Sequence, residues 1–154
     1  MKRNPEPSGM AATVETGSNP YLVDTSALLA FIEDEAGADR VEQALKQATT
    51  LLPWPVLLET HYITLQEEGV AEADRRFALI KQLNVKILWD IDESTVLTAA
   101  RLKAEHRISL ADAIIAAFAL RRDAVLIHND PEFDALTGLL PMEALPYKSS
   151  IDTS

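Results

Sequence analysis

Residues 109–130 read SLADAIIAAFALRRDAVLIHND, and their pattern decides the fold class. From Ser109 to Arg122 the side chains are apolar nearly all round the helical period (Leu110, Ala113, Ile114, Ile115, Ala116, Ala117, Phe118), which predicts a central, buried helix. Ala124 to Ile127 is an apolar run of strand length, and Asp130 lies just beyond it. A helix feeding directly into a buried strand is half of a crossover unit, from which parallel sheets are built.

The same rhythm recurs upstream. Tyr21-Leu22-Val23 predicts a strand, Ala27 to Ile32 a helix, Asp34 to Gly37 a loop and Ala38 to Gln47 an amphipathic helix. Thr49 to Leu52 predicts a second strand, closed by Pro53-Trp54-Pro55. Val56 to Glu67 then reads as a helix with proline at its start, where the missing N–H costs no hydrogen bond. Gly69 ends that helix, and Ala71 to Leu83 gives another with Ala73, Phe77 and Ile80 inward. Val85 to Ile91 predicts a third strand, Asp92 caps a helix running to His106, and Glu143 to Tyr147 forms a fifth strand at the edge. The expected fold is α/β, a central parallel sheet of four to five strands covered by helices on both faces. Residues 1–19 read as a flexible leader, 20–147 as the domain and 148–154 as a flexible tail.

Composition narrows the function. The 154 residues carry a net charge of −10, which argues against a bulk basic footprint for nucleic acid and leaves a cation-bridged contact with phosphate. The absence of cysteine excludes disulfides, thiolate nucleophiles and Cys-ligated metals, and is compatible with a cytoplasmic protein. No charge-free apolar stretch reaches the ~18 residues that a membrane span requires.

An open α/β sheet builds its site outside the carboxyl ends of its strands. Asp24 follows the first predicted strand and Asp130 the fourth, while Asp112 and Glu59 lie near the starts of two helices. Each has a structural alternative. Asp24 is placed to cap the next helix, Ser109-Leu110-Ala111-Asp112 matches a capping box, Glu59 suits a solvated helix face, and Asp130-Pro131 suits a turn. Together, four clustered carboxylates would repel one another unless cations were present, and Mg²⁺ or Mn²⁺, hard ions that prefer oxygen, would resolve the conflict. Such ions clamp the attacking and leaving oxygens of a phosphodiester and lower the pKa of bound water.

Leu22 to Leu29, Pro53 to Glu59, Ser109 to Ala116 and Asn129-Asp130-Pro131-Glu132-Phe133 together resemble the PIN-domain ribonucleases, and the chain's size is similar to that of VapC-type toxins of toxin–antitoxin pairs. The resemblance implies a three-layer α/β/α fold and a Mg²⁺- or Mn²⁺-dependent endoribonuclease. Asp24, Glu59, Asp112 and Asp130 match the family's acidic quartet, which ligates the metal. Ser26 matches the small hydroxyl after the first acid, a partner for a ligating carboxylate or bound water, and Glu132 an acid that assists through water. His128 stands where the family often has Thr or Ser, and reads either as a structural strand-end residue, the commoner case, or as a contact to phosphate that titrates near neutrality. The resemblance further implies RNA as substrate, a cognate antitoxin and a homodimer.

Basic residues gather at Arg75-Arg76, at Arg101, Lys103 and Arg107, and at Arg121-Arg122, either as solvated faces or as contacts to RNA backbone. The apolar face of Leu57, Leu58, Tyr62 and Leu65, with Phe31, suits the core or a groove for an antitoxin helix, the core being preferred. Two other readings compete. A non-catalytic PIN-like RNA- or protein-binding module would keep the acids as structure. A receiver-like phosphoacceptor would need an acidic pair after the first strand, where only Asp24 stands.

Overall fold

The structure, a computed structural model, describes residues 19–147. The expected leader (apart from Asn19) and the expected tail lie outside the described residues. In chain order the elements are β1 (Tyr21–Val23), α1 (Thr25–Ile32), α2 (Ala38–Leu45), β2 (Leu51–Pro53), α3 (Trp54–Glu68), α4 (Val70–Lys81), β3 (Lys86–Leu88), α5 (Glu93–Glu105), α6 (Leu110–Arg121), β4 (Val125–His128), a 3₁₀ helix (Pro131–Leu136) and β5 (Met142–Ala144).

The five strands form one sheet in the order β3-β2-β1-β4-β5, with every pair parallel. β1 is central, with Leu22 opposite Leu51 on one side and Leu126 on the other. Strands covered on both faces need no alternation, and Leu22, Val23, Leu52, Leu126 and Ile127 are all completely buried. The result is the three-layer α/β/α arrangement. α6 lies deep in the packing, with Ala113, Ile115, Ala116, Ala117, Phe118 and Ala119 all buried.

Local chemistry sets the helix starts. Asp24, Asp92, Ser109 and Asp130 each accept a backbone N–H from the first turn beyond them, satisfying a donor the helix leaves free. Gly37 enters α2 at φ +93°, and a Cβ there would stand 3.1 Å from Leu145, so both the backbone angle and the space favour glycine.

The expected elements differ from the observed ones mainly at their ends. α1 begins at Thr25 rather than Ala27, because Asp24 is already its cap. β3 stops at Leu88, and Trp89 and Ile91 are exposed. The edge strand sits at Met142–Ala144, one residue ahead of its expected start, and the 3₁₀ helix has no counterpart among the expected elements. Arg76 is buried against Glu33, Glu72 and Thr64, so it is not part of a solvated face. Leu57 joins the core as expected, but Leu58, Tyr62 and Leu65 are 56%, 43% and 38% exposed, correcting the preference for core on that face.

Candidate active site

A helix that precedes a parallel strand runs back from the sheet's carboxyl rim, so its N-terminus starts there. α6 precedes β4 in this way, which carries Asp112, in its first turn, to the rim where Asp24 follows β1 and Asp130 follows β4. α3 starts directly from the end of β2 and supplies Glu59. The side chains of Asp24, Glu59, Asp112, Asp130 and Glu132 line one cleft of about 300 Å³, together with Thr25, Ser26, Ser109 and the apolar Leu29 and Ile63.

Asp24 is the most deeply held, at 1% exposure. Its Oδ1 accepts the Ala27 N–H at 2.8 Å, and the Ser26 hydroxyl lies 2.9 Å from both carboxylate oxygens. That hydroxyl also accepts the Asn129 N–H at 2.8 Å, fixing the turn after β4 to the turn after β1. Burial lifts the Asp24 carboxyl to about 7 in spite of these donors.

The capping box at Ser109 is half made. Ser109 Oγ accepts the Asp112 N–H at 3.1 Å, yet the Ser109 N–H is taken by Glu132 Oε1, also at 3.1 Å. Glu132 thus performs the reciprocal duty a capping box assigns to its N3 acid, and the Asp112 carboxyl is free to face the cleft. Asp112 is pushed up to about 8, first by burial, then by its hydrogen bond with Glu132 and by repulsion from Asp24, Asp130 and Glu59. The same hydrogen bond and the Ser109 amide hold Glu132 below its ordinary value, with Lys103 adding a favourable charge.

One carboxylate oxygen each from Asp112, Asp130 and Glu132 lie within 4.8 Å of one another. Asp24 and Glu59 line the same cleft outside this tight trio. Burial and repulsion from Asp130 and Glu132 raise the Glu59 pKa, while the Thr25 hydroxyl, donating to Glu59 Oε1 at 2.6 Å, opposes the rise. Among the described residues no ion pair reaches any of the five acids. The donor set fits a divalent cation: hard oxygens, converging, with no lysine or arginine in ion-pair contact with them among the described residues.

Glu132, which the resemblance makes an acid assisting through water, stands with Asp112 and Asp130 in the tightest part of the cluster. One feature escapes a reading of the sequence. Thr25 has no sequence signal, because its partner is 34 positions away. His128 is buried, with its ring 5.0 Å from that of Phe133 and its pKa pushed down by burial. Its Nδ1 accepts the Asp130 N–H, a structural role in keeping with its strand-end position.

Comparison with known proteins agrees with this geometry. Ribonuclease VapC11 of Mycobacterium tuberculosis is 25% identical over 132 residues, 82% of this chain and 98% of the relative. The fold is similar to that of VapBC2 from Rickettsia felis, solved bound to a DNA fragment from its promoter (TM-score 0.66, 19% identity, 82% of this chain and 98% of that one). It is equally similar to M. tuberculosis VapC20, described as a sarcin-ricin loop cleaving toxin (TM-score 0.66, 20% identity, 82% of this chain and 99% of that one). Residues 21–139 match the PIN domain family across most of the chain's length, and the protein belongs to that family.

Proposed function

We propose that the acidic cleft hydrolyses RNA phosphodiester bonds with Mg²⁺ or Mn²⁺, and that the protein is the ribonuclease toxin of a toxin–antitoxin pair. The observation that carries this reading is the convergence of five carboxylates, from four separate segments, into one cleft with no basic partner. The VapC ribonuclease relatives point the same way.

Asp112, Asp130 and Glu132 would hold the cation, with Asp24 and Glu59 completing its surroundings. A bound divalent ion supplies an activated water and neutralises charge on the scissile phosphate. The chain's own part is positional. Ala27 N–H and Ser26 lock the Asp24 carboxylate, Glu132 frees Asp112 from capping, and Leu29 and Ile63 wall one side of the cleft with apolar surface. In the cation-free protein Asp112 holds a proton near neutrality, which relieves repulsion among the acids. Lys103, near enough to Glu132 to favour its anion, would offer a charge to the RNA backbone.

The partner reading rests on a second surface. Trp54, Leu57, Leu58, His61, Phe77 and Trp89 line an apolar groove of about 430 Å³ between α3, α4 and the end of β3. A helix with apolar anchors spaced along one face would fill it, which suits an antitoxin. The neighbouring Tyr62 and Leu65 extend the exposed apolar face and offer area for pairing two copies as a homodimer. Among the described residues no helix is long and apolar enough to cross a membrane.

The test is cleavage of total bacterial RNA by the purified chain with Mg²⁺, with Mn²⁺ and with EDTA, alongside Asp24→Asn. Cutting that needs the metal and disappears in the variant is the expected result. A folded protein that binds RNA but never cuts it, with either ion, would favour a binding module instead.

A further inference from the structure

We infer that Thr25 is the positioning residue for Glu59, and that its hydroxyl sets how tightly the cleft holds a divalent cation. The inference rests on the metal-site reading of the same cleft and deepens it.

The geometry is specific. Thr25 is the first residue of α1 and only 6% exposed, and its Oγ1 donates to Glu59 Oε1 at 2.6 Å across the gap between α1 and α3. Inside a helix, a threonine hydroxyl is drawn to the carbonyl one turn back. At the first helical position there is no preceding turn, so this hydroxyl is free to reach another element.

Three of the other acids accept a backbone N–H, and Asp112 is hydrogen-bonded to Glu132. Asp24 takes the Ala27 N–H and Ser26, Asp130 accepts the Glu132 N–H, and Glu132 accepts the Ser109 N–H. Among the described residues, Glu59 has the Thr25 hydroxyl alone. A half-buried glutamate on one hydrogen bond has three side-chain torsions to fix, and β-branched Thr25, stiff about its own first torsion, supplies a rigid point from which to fix them. The donation engages Oε1 and leaves Oε2 with no donor among the described residues, available to a cation or its bound water.

The experiment compares Thr25→Val, which keeps the shape and removes the donor, with Thr25→Ser, which keeps the donor. Mn²⁺ binding to the purified, RNA-free protein is measured by calorimetry and by loss of the free-Mn²⁺ resonance signal, with circular dichroism to establish folding. Thr25→Val is expected to weaken Mn²⁺ binding by ~10-fold or more, and Thr25→Ser to restore it to within ~3-fold of the parent. In a Glu59→Ala background the valine substitution should add nothing, as expected for residues acting through one contact. The inference is overturned if folded Thr25→Val binds Mn²⁺ like the parent, or if the serine variant is as weak as the valine variant, which would make the methyl and not the hydroxyl the working part. Because the readout is cation binding, these outcomes stand whether or not the protein cuts RNA. Failure of the nuclease reading shows separately, as absent cleavage by a parent chain that binds Mn²⁺.

Discussion

Asp112 and Glu132 meet carboxyl to carboxyl with opposite shifts: burial pushes Asp112 up, while its hydrogen bond with Asp112 and the Ser109 N–H hold Glu132 below its ordinary value. Two acids with opposite shifts at one hydrogen bond are a single titrating unit, and what that unit does depends on pH and on cations.

Stability of the cation-free protein should fall as pH rises. Asp24 and Asp112 have folded-state values of about 7 and about 8, above their unfolded value of 3.8, so both bind protons more tightly when folded. Their stabilisation is fully present below the unfolded value and is lost as pH rises through 7 and then 8. Glu132 is shifted down, so its contribution disappears only when pH drops below the ordinary glutamate range, outside this window. Melting in EDTA at pH 6 and pH 9 should show a lower Tm at pH 9, with a smaller difference in Asp112→Asn. An equal difference in that variant would take Asp112 out of the effect and leave it to Asp24 or to the chain's general negative charge.

Mn²⁺ should reverse that loss. At pH 8 saturating Mn²⁺ is expected to raise the Tm of the parent, since binding to the folded state alone stabilises it. Asp112→Asn and Asp130→Asn should gain much less, and each should lose ~100-fold or more in RNA cleavage while remaining folded. A normal Mn²⁺ response in either would remove that residue from the metal site.

Ser26→Ala removes a hydroxyl that touches both oxygens of Asp24 and accepts the Asn129 N–H. The two strand-end turns lose their link, and Mn²⁺ affinity should fall ~10-fold with only a modest change in Tm. Titration of Mn²⁺ by calorimetry reads the first effect, and thermal melting the second.

Arg75 and Arg76 should behave oppositely. Arg76 is buried and bonds Glu72, Glu33 and Thr64, so Arg76→Ala takes the guanidinium from Glu33 and empties a buried position, and should lower Tm by ~5 °C. Arg75 pairs with Glu72 in solvent, and Arg75→Ala should melt like the parent. Comparable losses in both would show that the Glu72 pair, not burial, is what matters.

The alternation of short apolar runs with helical periods makes the parallel sheet legible, because a strand covered on both faces and a helix buried all round each leave a distinct pattern in the sequence. The rim position of Asp24 and Asp130 comes from that pattern alone. Other features depend on contacts between distant residues. Arg76 looks like half of a surface pair until Glu33, 43 positions away, is seen beside it. The capping box at Ser109 is a correct local motif whose second half is taken over by Glu132, 23 positions on. The helical period marks Leu58, Tyr62 and Leu65 as one apolar face, but nothing in a period says whether a neighbour lies against it. The 3₁₀ helix at Pro131 begins with Asp-Pro, which equally well starts an ordinary turn.

The turn between β1 and α1 commits three successive side chains to different places: Asp24 to the cleft, Thr25 to α3 and Ser26 to the turn after β4. Adding or deleting one residue there would rotate the start of α1 by ~100° about its axis and break all of those attachments in a single event. A one-residue insertion is expected to be better tolerated at bends such as Gly69 and Gly138, where an added side-chain carbon would meet nothing within 4 Å. The run of Asp24, Thr25 and Ser26 leaves no such slack, because one register serves three separate attachments.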